Sequence, residues 1–161
     1  MVTDMTPMQL DEIRARELAI YMEEVAAAID PKLHILIVHL YVEHLLERLL
    51  ATKLKSTKVL FGKNGLGFDK KVLLVEALGG LTPQRLDSVR KLNALRNDCA
   101  HKFKYHPNAA ELQVFGSTLG RSYAAIKRAS GTDHNACMRL VCASLSGDLL
   151  RQVVDAENDA I

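Results

Sequence analysis

The chain of 161 residues has no Trp and only four Phe and four Tyr. A stacking platform for nucleic-acid bases needs exposed rings, so such a platform is not the first expectation. Four Pro and nine Gly are too few for a fibrous or linker-like chain. Cysteine is scarce and odd in number: Cys99, Cys137 and Cys142. No basic stretch followed by an apolar one stands at Met1-Val2-Thr3-Asp4, as a secretory signal would require. The expectation is therefore three unpaired, mostly buried thiols in a reducing compartment, the cytoplasm by default. Apolar runs are short; Ile35 to Val38 stops at His39, so no membrane span is expected.

What is present fits a globular domain. Hydrophobic residues make up 48% and charged residues 25%, close to the average for folded proteins. The length suits one domain over residues 1–161, with enough core to be stable alone. The net charge of +2 hides a segregation. Residues 53–106 hold twelve Lys or Arg against four acids, a net +8, while the first 52 residues carry −5. A basic middle on an acidic chain is either a surface that faces a polyanion or a set of solvated lysines.

The pattern is helical almost throughout. Thr6-Pro7 reads as an N-cap with Pro at the first helical position, and Gln9 completes a capping box. That helix is expected to end near Ile29. Asp30-Pro31 stops it and opens a second helix to about Leu54. Glycines 62, 65 and 67 mark a loop over 55–68. Asp69 is expected to cap a short helix closed by Gly79-Gly80. Thr82-Pro83 starts a helix to about Ala100, Asn108 one to about Ala129, and His134 a last one to about Val154. No segment alternates at period two. The fold class is all-α, an antiparallel bundle of about six helices.

Few motifs carry chemistry. The run Gly62-Lys63-Asn64-Gly65-Leu66-Gly67 lacks the Gly-Lys-Ser/Thr ending of a phosphate loop and follows a helix, so it reads as a turn in which Lys63 can still face an anion. His39 and His44 stand about 140° apart around a helix and cannot both grip one metal. His134, Cys137 and Cys142 lack a fourth ligand, so no metal site is expected. His39, Glu43 and Glu47 share a face at i, i+4 and i+8. That face is either solvated or meets a cation on another helix, with the stretch 95–103 as the candidate source of the partner.

In that stretch Leu92, Leu95 and Cys99 form an apolar stripe, while Asn93, Asn97 and His101 form a polar one. Arg90 and Arg96 flank the polar stripe, and Lys102, Lys104 and His106 follow. Arg supplies a permanently charged fork suited to phosphate, and imidazole exchanges protons near neutral pH. These are the parts for cleaving RNA without a metal, since one imidazole activates the 2′-hydroxyl while cations stabilise charge on phosphorus. The same residues also suit a helix C-terminus for purely structural reasons.

Arg96-Asn97-Asp98-Cys99-Ala100-His101 resembles the signature of the HEPN superfamily: Arg, a polar residue, then His at a helix end. Residues 31–106 are similar to the core of that family, and the Gly-rich loop, Leu78-Gly79-Gly80 and Thr82-Pro83 are similar to its mannitol-repressor-like branch. The resemblance implies a helical homodimer with facing motifs and additional helices before and after the core. It implies a metal-independent endoribonuclease that leaves 2′,3′-cyclic phosphate ends and needs no cofactor. The activity would be that of a toxin or phage-defence effector, with an antitoxin or defence-system protein as partner. Arg96 would contact the scissile phosphate, His101 would act as base or acid, Asn97 would orient either, and Glu43 would support them from the neighbouring helix. Lys102, Lys104, Lys63 and Arg90 would hold RNA, whose binding is largely electrostatic. The branch also implies an alternative: a non-catalytic regulator or adaptor that binds protein or nucleic acid. Where the adenylylated toxin branch carries Tyr, two positions after His101, this chain has Phe103.

Overall fold

Local chemistry sets most helix ends. In the computed structural model, which describes residues 6–28 and 30–160, Thr6 and Gln9 form the capping box that opens α1 (Pro7–Ala27). The Asp30 carboxylate accepts from the Lys32 amide at 2.9 Å and opens α2 (Pro31–Lys53). Helix α3 spans Phe68–Ala77, and its end is a Schellman turn. Gly79, at φ +63°, donates to the Glu76 carbonyl at 3.0 Å, and Gly80 donates to that of Val75 at 2.8 Å. Thr82 caps α4 (Pro83–His101), and Asn108 with Glu111 forms a second capping box for α5 (Ala109–Ser117). Helices α6 (Arg121–Ser130) and α7 (His134–Asp159) complete the chain. The described residues form seven helices and no strand, so the fold is all-α.

Three details differ from the sequence reading, one being that the last helix runs on to Asp159, past the expected end near Val154. The helix expected over 108–129 is two helices, because Gly120 adopts φ +62° and turns the chain between α5 and α6. Helix α3 starts two residues early, with Gly67 rather than Asp69 at the N-cap and no side-chain cap. The Asp69 carboxylate is engaged elsewhere, by Asn93 of α4.

Helix α2 is the central element and packs against α7, α4, α3 and α1. Its fully buried face (Ile35, Val38, Val42, Leu45, Leu46, Leu49 and Leu50) meets Val141, Leu145, Leu149 and Val153 of α7 and Val89 and Leu92 of α4 in one core. Arg48 ties three helices at the edge of this core. It donates to Glu17 of α1 at 2.6 Å and to Glu157 of α7 at 2.8 Å. Tyr21 of α1 stacks on Tyr41 of α2 with ring centroids 4.2 Å apart, and Ser146 of α7 hydrogen-bonds the Tyr21 hydroxyl at 2.9 Å. Cys137 and Cys142 are buried and Cys99 is partly buried, and all three are unpaired thiols. Burial pushes the Cys142 thiol up to about 12 and the Cys99 thiol up to about 11, so neither is a ready nucleophile.

Gly116 is buried on α5, and a methyl group there would strike the Tyr123 ring of α6. Gly116→Ala is therefore expected to destabilise the fold by about 1–3 kcal/mol through overpacking. Urea unfolding checks this; an unchanged midpoint would show that Tyr123 moves aside without cost.

Candidate functional site

The sequence line His39, Glu43, Glu47 is not solvated. Lys71 of α3 meets it, with Nζ 2.6 Å from Glu43 Oε1 and 2.6 Å from Glu47 Oε1. The lysine side chain is only 6% exposed, its carboxylates 25% and 29%. The cation partner thus comes from α3 and not from the stretch 95–103. Interaction with both carboxylates holds the Lys71 ammonium above its ordinary range against the opposing effect of burial.

His39 is buried one turn before Glu43 and bonds across to α4. Its Nε2 lies 2.9 Å from Asn93 Oδ1, while Asn93 Nδ2 donates to Asp69 Oδ1 at 2.7 Å. This chain fixes the tautomer. A carboxylate only accepts, so Asn93 turns its amide nitrogen to Asp69 and its carbonyl to His39. His39 must then carry a proton on Nε2. Burial lowers its pKa, opposed by the Asn93 bond; nearby Arg96 lowers it further, while Glu43 and Asp69 raise it. The ring also stacks on Phe68, with centroids 4.1 Å apart.

These groups surround a polar pocket of about 280 Å³ lined by His39, Glu43, Phe68, Asp69, Asn93, Arg96 and Asn97. The structure thus brings together three of the sequence candidates: Arg96, Asn97 and Glu43. Arg96 Nη1 donates to Asn97 Oδ1 at 3.1 Å. The guanidinium is partly buried and has no carboxylate partner among the described residues. By contrast, Arg90 is committed to Glu76 of α3, and Lys102 to Asp98 at 2.8 Å.

His101 is the last residue of α4, exposed and outside the pocket lining. Lys104 is exposed just beyond it, and Lys63 is exposed in the Gly-rich loop. His39 is buried whereas His44 is exposed, in keeping with their different helix faces. Among the described residues no three His, Cys, Asp or Glu side chains converge as metal ligands would, and no helix is long and apolar enough to cross a membrane.

Sequence reasoning passed over Lys71, Phe68 and Asp69 as site residues. Only the four-residue spacing of His39, Glu43 and Glu47 points to them, and it leaves open a solvated face or a cation opposite. Comparison of the chain with protein-family models, curated proteins and solved structures finds no match.

Two expectations follow. Lys71→Met would leave two carboxylates facing each other. A loss of about 2–3 kcal/mol is expected, below the cost for a fully buried pair because both acids keep some solvent. The triple variant with Glu43→Gln and Glu47→Gln should recover most of it in urea titrations; a neutral Lys71→Met would mean that the contact carries no stability. The second concerns acid. His39, near Arg96, Glu43 and Asp69, and His34, near Arg139, both have pKa values lowered chiefly by burial. The unfolded chain therefore binds more protons below the ordinary value of 6.5. Stability is complete above that pH and falls as pH drops below it, toward the folded values. His39→Gln should flatten this slope between neutral pH and pH about 5; a parallel slope would assign the effect to other groups.

Proposed function

We propose that this protein is a metal-independent endoribonuclease of the HEPN type that works as a homodimer. One observation carries the reading: a partly buried arginine, Arg96, has no acidic partner among the described residues and lies on the same helix end as the exposed imidazole of His101. A guanidinium with no carboxylate in direct contact keeps its hydrogen-bond donors free for an incoming phosphate. Asn97 accepts from it and limits its rotation. The motif resemblance and the net +8 of residues 53–106 support the same substrate class.

The chemistry is a transesterification. The His101 imidazole takes the proton of a ribose 2′-hydroxyl, and the 2′-oxygen attacks the adjacent phosphorus. Arg96 stabilises the extra negative charge on the phosphoryl oxygens. The bond to the 5′-oxygen breaks, and that oxygen leaves with a proton from water or from a second imidazolium. The products are a 2′,3′-cyclic phosphate and a 5′-hydroxyl. In a dimer with facing motifs, the second imidazole would be His101 of the other copy. Glu43 acts at a distance, as part of the Lys71 cluster that forms one wall of the pocket. The cellular role in this reading is that of a toxin or defence effector in the cytoplasm.

The test uses purified protein, total RNA and EDTA. Wild type should release fragments with cyclic phosphate ends. His101→Ala should lose at least about 100-fold in rate, the scale of general acid–base catalysis. Arg96→Ala should lose about 100- to 1000-fold, and Arg96→Lys should recover little, because an ammonium lacks the planar fork. Growth arrest on expression should vanish with His101→Ala. Intact RNA with wild type and unchanged growth would overturn the reading in favour of a regulator.

A further inference from the structure

Phe103 is 92% exposed, whereas the chain's seven other aromatic side chains are buried or partly buried. It is presented by an ordered turn rather than a loose tail. Helix α4 ends at His101, and the Lys102 amide still bonds the Asp98 carbonyl at 3.0 Å. The Tyr105 amide returns to the Lys102 carbonyl at 3.3 Å, and Asn108 already caps α5. Between them Lys104 adopts φ +56°, the one non-glycine residue described with positive φ. An L-residue rarely takes that conformation unless its surroundings impose it. Tyr105 is tucked in, so the turn points one ring outward and anchors the next.

The flanks of the ring say what it meets. Residues 101–106 read His-Lys-Phe-Lys-Tyr-His, and no acid occurs from 101 to 110. Lys102 is paired with Asp98, but Lys104 has no ion pair among the described residues, and its Nζ lies 5.6 Å from the Phe103 ring. A protein or bilayer contact is built from several contiguous apolar residues, whereas Phe103 has a lysine on each side. A single ring between cations matches the repeating unit of single-stranded RNA, one flat base beside each phosphate.

We propose that Phe103 is a stacking site for an unpaired nucleobase of single-stranded RNA, with Lys104 on the adjacent phosphate. The inference rests on the ribonuclease reading and adds to it a substrate class and a residue. Because His101 lies two residues before Phe103, the stacked base belongs to the nucleotides next to the scissile bond. Duplex RNA, whose bases are already stacked on each other, would not use the ring.

The probe is a short unstructured oligoribonucleotide with 2′-O-methyl groups, which binds but has no 2′-hydroxyl to attack. Its affinity is measured for wild type, Phe103→Ala and Phe103→Trp. Phe103→Ala should bind about 5- to 100-fold more weakly, the range for one lost stacking partner, while its thermal melt stays unchanged because the ring packs on nothing. Phe103→Trp should retain binding. As the chain contains no Trp, its fluorescence reports this site alone and should be quenched by the oligonucleotide but not by an abasic strand of equal charge. Equal affinity of Phe103→Ala, absence of quenching, or no binding by wild type would each overturn the proposal. So would a smaller mass for Phe103→Ala in sedimentation together with unchanged affinity, which would assign the ring to contact with a second copy. Cleavage is scored separately on natural RNA. A protein that cuts RNA but ignores Phe103 fails only here, and one that stacks RNA but cuts none fails only the ribonuclease reading.

Discussion

Between α2 and α3 one buried ammonium, Lys71, holds two carboxylates that lie one helical turn apart, Glu43 and Glu47. Helix α2 sits at the centre of the bundle, and a central helix cannot carry acids on a covered flank without a cation to meet them. Lys71 supplies that cation, and the contact does more than neutralise charge. It fixes the register of α3 against α2 and so sets where the start of α3 falls. Phe68 is thereby placed on the His39 ring, and Asp69 reaches Asn93. The pocket wall is a consequence of this ion cluster, built from residues at the first turn of a short helix that follows a glycine-rich loop. Most polar groups of the wall are bonded to one another, and Arg96 is the charged one without an oppositely charged or cross-helix partner among the described residues.

Helix boundaries were legible because caps are local. Asp30-Pro31, Thr82-Pro83 and the Asn108–Glu111 box act within one turn of the chain, and each starts a helix where the residues indicate. The break between α5 and α6 was not legible. Gly120 lies within a pattern that reads as continuously helical, and only its positive φ and the packing of Gly116 against Tyr123 reveal the turn. The site shows the same division. Arg96, Asn97 and Glu43 could be named from spacing on single helices, and they do line one pocket. Lys71 could not be separated by composition from the other lysines of a basic segment, because its role depends on a contact across 28 positions. Asp69 looked like a cap, since nothing in its neighbours announces an amide on α4. Phe103 is not singled out by composition, because a count of rings does not say which ring is exposed.

The arginines give a comparison within one molecule. Arg48 is tied to Glu17 and Glu157, Arg85 to Asp148, and Arg90 to Glu76. Each of these bridges helices and has its charge answered inside the fold. Arg96 sits nearer the core than Arg90, yet its hydrogen bond goes to a neutral amide one residue away. Desolvating a guanidinium without an anion costs free energy that an Asp or Glu beside it would offset. Glu43 and Asp69 line the same pocket but are held by Lys71 and Asn93. Arg139, also partly buried, likewise donates to a neutral group, the Ala28 carbonyl at 3.3 Å, so what sets Arg96 apart is its place in the lining of the polar pocket beside Asn97.

Helix α4 joins the core, the pocket and the exposed turn. Leu92 and Leu95 face the core, Asn93 and Arg96 the pocket, and the helix ends at His101 where the chain turns out to Phe103. Five residues of helix separate Arg96 from His101, about 7.5 Å along the axis. The same five positions turn the two side chains about 140° apart around the helix, and His101 lies outside the pocket lining, so a ligand enclosed in the pocket does not meet both. Under the proposed function, this separation suits a polymer running past the end of α4. In the proposed mechanism His101 does not have to line the pocket. The two groups would address different atoms of one chain, the phosphoryl oxygens and the neighbouring ribose, with the Phe103 ring taking a base beyond them.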